Sequence, residues 1–105
     1  MPTIEDHDDL VDAVDAVRSA LIELRVDPAA VSVQLRIERA EQALAVLDTD
    51  LTAVVLRRLL DSVTACHRLG QAHSRRLSTC ERSTVRALRL DPRWTPPAAP
   101  LRDAC

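Results

Sequence analysis

Apolar residues recur along most of this chain at alternating steps of three and four, which places them on one face of an α-helix. The first such segment runs from about Glu5 to Arg25 and predicts an amphipathic helix. Its apolar stripe consists of Leu10, Val14, Val17, Leu21 and Leu24. We expect Asp27-Pro28 to end this helix and to begin the next, because Asp caps a helix start and Pro fits the first helical position.

Two further segments repeat this spacing. The second predicted helix runs to about Leu47, and its stripe consists of Val33, Ile37, Ala40, Leu44 and Leu47. Asp48-Thr49-Asp50 supplies capping side chains without Gly or Pro, so the pattern predicts a short turn or a kink there. The third predicted helix runs from Leu51 to Leu69, with Gly70 at its end. Its buried positions are expected to be Val55, Leu56, Leu59, Leu60 and Val63.

The segment after Gly70 allows two interpretations. Ser78-Thr79-Cys80-Glu81 has the form of a capping box, which predicts a fourth helix from about Thr79 to Leu90, ended by Asp91-Pro92. The alternative is one continuous helix from Leu51 to Leu90, because a single Gly costs only about 1 kcal/mol inside a helix. We favour four helices.

The predicted fold class is therefore all-α, a small antiparallel helical bundle of three to four helices with an extended Pro-rich C-terminal tail. The bundle domain covers residues 1–91, and the tail covers residues 92–105, where prolines stand at positions 92, 96, 97 and 100. The composition agrees, since 47% hydrophobic and 29% charged residues are typical of a folded domain. One Gly and the absence of Phe and Tyr leave few residues that favour strands or turns with positive φ.

Composition also bears on source and compartment. All 14 basic residues are Arg and Asn is absent, a bias against AT-rich codons that is typical of a high-GC bacterium or its phage. No stretch approaches the roughly 20 apolar residues of a membrane helix, and the acidic N-terminus is unlike a signal peptide. We expect a cytoplasmic protein with no membrane partner. Its three cysteines, an odd number without close pairing, are expected to be reduced.

The two halves of the chain carry opposite charge. Residues 1–50 hold 12 acidic residues and 4 Arg, a net charge of −8, whereas residues 51–105 hold 4 acidic residues and 10 Arg, a net charge of +6. The acidic stripe on the first helix consists of Glu5, Asp8, Asp12 and Asp15. The basic stripe near the other end consists of Arg75, Arg82, Arg86, Arg89 and Arg93.

These stripes have three interpretations. They are solvated faces or pair within the bundle, where an exposed ion pair contributes about 0–1 kcal/mol. Alternatively, they pair between two chains in a head-to-tail or antiparallel dimer, because opposite potentials steer encounter and set the register. In the third, the Arg stripe binds the phosphates of a nucleic acid, although no aromatic residue interleaves the arginines for stacking.

Trp94 is the one aromatic residue and lies in Pro-Arg-Trp-Thr-Pro-Pro, just past the last predicted helix. The favoured interpretation is that it folds back and covers one end of the bundle. In the alternative, the prolines hold this segment extended and present Trp94 to a partner.

Cysteine and histidine cluster near Gly70. Cys66, His73 and Cys80 are each seven residues apart, about 10.5 Å along a helix, so one continuous helix cannot gather them around a metal ion. A metal site would require a chain reversal near Gly70 or two chains. We expect neither a metal nor another cofactor.

The segment His67-Arg68-Leu69-Gly70 resembles part of the His-x-Leu-Lys-Gly pattern of histidine phosphotransfer domains, which are four-helix bundles of about this size. The resemblance covers five residues and implies phosphorylation of His67 on an exposed helix face. The sequence departs from the pattern, because the Lys is absent and Gly70 comes one residue early.

Phosphate loops, nucleophile elbows and His-Glu-x-x-His metal motifs are absent from the sequence. The function predicted from sequence is therefore that of a non-catalytic interaction or regulatory module that self-associates. Binding of nucleic acid through the Arg stripe and phosphotransfer through His67 are the alternatives.

Overall fold

The computed structural model describes the backbone of residues 4–94 and the side chains of residues 8–94. Four helices make up the secondary structure of this part of the chain, and it contains no strand. The helices are α1 (Ile4–Val26), α2 (Val31–Ala45), α3 (Leu51–Leu69) and α4 (Arg75–Leu90). The all-α prediction is confirmed. The predicted tail lies outside the described residues from Thr95 onward.

The core forms where α1, α2 and α3 pack against one another. The predicted apolar stripes of α1 and α3 are fully buried, and in the second stripe only Leu47 is half-buried. The small side chains of Ala13, Ala16 and Ala20 are also buried on α1. Small side chains let helix axes approach closely, and the contact between α1 and α2 is the most extensive in the molecule.

The turn between α1 and α2 corrects the predicted role of Asp27-Pro28. α1 ends at Val26 as expected, but Pro28 does not begin α2. The backbone N–H of Ala30 donates to the carbonyl of Asp27 at 3.1 Å, and α2 starts at Val31 without a side-chain cap. Asp27 and Pro28 form the chain reversal after which α2 packs along α1. They therefore do not serve as the cap and the first residue of α2.

The turn before α3 follows the prediction more closely. Asp50 caps α3, because its carboxylate accepts a hydrogen bond from the backbone N–H of Ala53 at 2.9 Å. Gly70 ends α3 with a φ of 65°, in the left-handed region that favours glycine. The continuous helix from Leu51 to Leu90 is therefore wrong.

The start of α4 is a second correction. The capping residue is Ser74, whose Oγ accepts from the backbone N–H of Leu77 at 2.9 Å. Ser78, the predicted cap, lies inside the helix. The physical reason is tertiary, because the earlier start places Leu77 on the helix face that packs on α3, where it is 0% exposed. The backbone of α4 lies close to that of α3 and to that of no other described helix.

None of the four described helices combines the length and apolarity needed to cross a membrane.

Candidate interaction surface

A groove runs between α1 and α4, with α3 beneath it. Its volume is about 110 Å³. Apolar side chains from the three helices line most of it: Val14, Val17 and Leu21 from α1, Leu56 and Leu59 from α3, and Val85 and Leu88 from α4. The backbone of α4 does not approach that of α1, which leaves this groove between them. Arg18 of α1 and Glu81 and Thr84 of α4 complete the lining, and Val85 is the one exposed apolar residue in it.

One ion pair crosses the groove. Arg25 and Glu81 form two hydrogen bonds, at 2.7 Å from Nη2 to Oε1 and at 3.3 Å from Nη1 to Oε2. The bond to Glu81 raises the pKa of Arg25. Arg25 is near the end of α1 and Glu81 is in the first half of α4, whereas Val14 and Leu88 line the same groove. The two helices are therefore antiparallel.

The predicted basic residues of α4 form an exposed face beside this groove. Arg75, Arg82, Arg86 and Arg89 are all exposed. The last three also line a shallow concavity of about 480 Å³ along α4, and Val85 belongs to both this concavity and the groove. We call Arg75, Arg82, Arg86 and Arg89 the basic face.

Of the predicted acidic residues of α1, Asp8, Asp12 and Asp15 are exposed, and the side chain of Glu5 lies outside the described residues. Asp8 and Asp15 are seven residues apart, which places them on the same side of the helix. Asp12 is exposed nearby, but it lines a concavity between α1 and α2 together with Arg39. We call Asp8, Asp12 and Asp15 the acidic face, of which Asp12 lies on the edge toward α2.

The structure separates Arg93 from the basic face. The Arg93 guanidinium is half-buried, with Nη2 at 2.6 Å from Asp50 and 2.7 Å from Asp91. Thr52 donates to the same Asp91 carboxylate at 2.6 Å. The bonds from Arg93 and then Thr52 hold the pKa of Asp91 well below its usual range. This cluster joins the start of α3 to the end of α4.

Trp94 follows directly and is half-buried against the core cluster. This placement agrees with the interpretation that it covers one end of the bundle. Trp94 packs against the core and Arg93 joins α3 to the end of α4, so both residues stabilise the fold.

No protein-family model, curated protein or solved structure matches this chain. The function of the protein therefore has to follow from its own side chains and their arrangement.

The cysteines and histidines do not converge on one point. Cys66 donates to Ser74 at 3.7 Å, and the Cys80 Sγ lies 3.3 Å from the Oγ of Ser62, so both thiols have hydroxyl neighbours between α3 and α4. His73 is exposed. Among residues 8–94, no three His, Cys, Asp or Glu side chains are arranged to hold a metal ion.

His67 makes a contact that differs from a phosphotransfer site. Its Nδ1 lies 2.7 Å from the carbonyl oxygen of Pro28, and because a carbonyl only accepts, Nδ1 carries the proton. The ring is half-buried, and α3 ends two residues later at Leu69. The observed His67 joins α3 to the α1–α2 turn, whereas the phosphotransfer resemblance implies a histidine on an exposed helix face.

Proposed function

We propose that this chain is a non-catalytic interaction module that associates with a second copy of itself. The observation that supports it best is the exposed aliphatic surface, because nine large aliphatic side chains among the described residues are at least 45% exposed. Single exposed aliphatic residues are normal on a protein surface, but here each of the four helices carries two of them, and α1 and α4 also carry the acidic and basic faces.

Exposed aliphatic side chains lie on the two helices that carry the charged faces. Ile22 and Val26 are 55% and 76% exposed, and on α4 Val85 is 45% exposed. Burying apolar surface drives association, and charged residues around it select the partner and the register. Self-association accounts for both kinds of surface with one partner.

The direct test is the mass of the full chain in solution. Light scattering coupled to size-exclusion chromatography, over loadings of about 10 to 200 μM, is expected to give twice the chain mass at the higher loadings, since micromolar dissociation constants are ordinary for such contacts. A mass equal to one chain at every loading would contradict the proposal.

Nucleic acid is the second candidate, favoured by one observation. Five exposed arginines stand on α4, since Arg76 joins the four of the basic face. The acidic face of α1 and the net charge of −2 oppose the approach of phosphates, however. Fluorescence anisotropy of a labelled duplex at low salt separates the two functions, and we expect no binding. Binding that weakens steeply with added salt would favour nucleic acid instead.

A further inference from the structure

The concavity along α4 and the groove beside it are lined mainly by positive charge. Val85 lies in both and is 45% exposed. The charged side chains around it are four arginines and one carboxylate: Arg18, Glu81, Arg82, Arg86 and Arg89. Glu81 already binds Arg25, at 2.7 Å. Among the described residues, the lining therefore holds no unpaired carboxylate. We call Val85 and these four arginines the arginine surface.

The four arginines have no partner within one molecule. All are exposed, and no ion pair or side-chain hydrogen bond among the described residues includes any of them. Arg82 and Arg86 are four residues apart on one helix, where like charges destabilise the helix. Folding therefore does not account for this cluster, whereas an anionic partner would neutralise it.

The spacing on α4 indicates the shape of such a partner. Arg82 and Arg89 are seven residues apart, about 10.5 Å along the helix axis, and Val85 lies between them on the same side. Residues seven apart on a second helix have the same separation. A helix laid along α4 would therefore match this stripe with two carboxylates seven residues apart and an aliphatic side chain between them.

We propose that the arginine surface binds an acidic amphipathic helix of another protein. The carboxylates of that helix pair with Arg82 and Arg89, and its aliphatic side chain packs on Val85. Arg86 on α4 and Arg18 on α1 extend the positive charge to either side of the bound helix. Arginine suits this role, because its planar guanidinium binds a carboxylate through two parallel hydrogen bonds. One chain carries the whole surface, so this binding does not depend on the self-association proposed above.

The composition of this surface favours a protein over a nucleic acid. Among the described residues, no aromatic side chain lines it for base stacking, and its central residue, Val85, is aliphatic. A phosphate backbone presents only charge to such a surface, but an acidic amphipathic helix combines carboxylates with an apolar stripe. The helix therefore matches both the arginines and the exposed Val85.

Binding of a designed peptide to the full chain tests the proposal. The probe is a fluorescein-labelled peptide of about 21 residues, built from seven-residue repeats with Glu first and Leu fourth, and with Ala or Gln elsewhere to favour the helix. Fluorescence anisotropy should give a dissociation constant below about 100 μM at about 0.05 M NaCl, and at least about tenfold weaker binding at about 0.5 M NaCl. A control peptide with Gln in place of every Glu should bind at least about tenfold more weakly.

Variants of the chain locate the binding site. Arg82→Gln with Arg89→Gln should weaken peptide binding at least about tenfold, because both removed charges lie in the contact. Arg57→Gln with Arg58→Gln makes the same change in net charge at exposed residues of α3 and should stay within about twofold of the wild type. Arg82→Glu with Arg89→Glu should instead bind a peptide with Lys in place of every Glu. Circular dichroism melts check that the variants remain folded.

Each outcome decides the proposal. Binding of the acidic peptide that is lost with the Gln peptide and with Arg82→Gln and Arg89→Gln supports it. No binding by the wild type, or an equal loss with Arg57→Gln and Arg58→Gln, overturns it. Tighter binding of a labelled DNA duplex at the same salt overturns it in favour of nucleic acid. Self-association is measured separately, as the mass of the chain without peptide, so either proposal can fail while the other stands.

Discussion

The first two helices and the last two are held together by different interactions. α1 and α2 join through buried aliphatic side chains, and α2 begins without a side-chain cap. Among the side chains of residues 8–94, one hydrogen bond links the two helices, from Ser32 to Glu23 at 2.8 Å. In α3 and α4, both helix starts have side-chain caps, Asp50 and Ser74. Thr52 and Asp91 also join the start of α3 to the end of α4.

This difference follows from how much apolar surface each helix buries. In α4, Leu77 and Leu88 are the only large aliphatic side chains among the described residues that are buried, so apolar packing holds this helix less strongly than the others. Polar contacts at its two ends compensate. Substitutions should therefore have large effects where α1 and α2 bury side chains, and smaller, graded effects in the polar contacts of α4.

The largest expected effect is in the apolar half. Ile37→Ala removes a side chain that is 1% exposed, and such changes cost about 2–5 kcal/mol of the free energy of unfolding. Leu35→Ala, on the same helix but 60% exposed, is the matched control and should change it by less than about 0.5 kcal/mol. Urea unfolding measures both. Equal losses from the two variants would contradict the packing described here.

The next largest effect is expected at Asp91. Asp91→Ala removes the acceptor for Arg93 and leaves the buried hydroxyl of Thr52 without that partner, which should cost about 1.5–3 kcal/mol. Asp48→Ala, an exposed acidic residue in the turn before α3, is the control and should be nearly neutral. A loss at Asp91 no greater than that at Asp48 would show that the cluster does not stabilise the fold.

The same carboxylate predicts a pH dependence. Because the folded pKa of Asp91 is lowered, the unfolded chain binds its proton first as the pH falls through about 4, the ordinary pKa of Asp. The stabilisation from Asp91 is therefore complete above that pH and declines below it. Urea unfolding at pH 7, 5 and 3 should show the difference between the wild type and Asp91→Ala shrinking at pH 3. A constant difference would contradict the shift.

A smaller effect is expected from the cap of α4. Ser74→Ala should cost about 1 kcal/mol, because it removes the acceptor for the N–H of Leu77. Ser78→Ala, inside the same helix, should cost less than about 0.5 kcal/mol. The two variants compare the observed start of α4 with the start that the capping-box pattern predicts. The reverse order of losses in urea unfolding would favour a start at Ser78.

The smallest effect is expected at the ion pair across the groove. Arg25 and Glu81 have side chains that are 35% and 36% exposed, and exposed pairs contribute about 0–1 kcal/mol. A double-mutant cycle with Arg25→Gln and Glu81→Gln should give a small coupling energy that salt reduces. Coupling above about 1 kcal/mol that persists at high salt would mean that this pair holds α4 more firmly than its exposure indicates.

The helices were predictable where the local sequence pattern and packing in the core favour the same helix boundaries. The three-and-four spacing identified α1 and α3 closely, and Gly70 and Asp50 act as expected because their roles depend on neighbouring backbone. The start of α4 was not predictable from the capping box, because burial of Leu77 against α3 decides between Ser74 and Ser78.

The candidate site was predictable in part. Helical spacing was sufficient to place Asp8, Asp15, Arg86 and Arg89 on outer faces, since exposure follows from the position of the apolar stripe. The groove between α1 and α4 was missed, because it depends on how far apart two helices lie on α3 and not on the pattern of either helix. The role of Arg93 was missed for a similar reason, since Asp50 reaches it from across the fold.

Sedimentation equilibrium of the wild-type chain at low and high salt tests the central claim most directly. If burial of exposed aliphatic surface holds two copies together, the chain should sediment as a dimer at about 0.05 M NaCl. Its dissociation constant should change by less than about threefold at about 1 M NaCl, where exposed charges are screened within about 3 Å but apolar contacts persist. A dimer that dissociates at high salt, or a monomer under both conditions, would contradict the account.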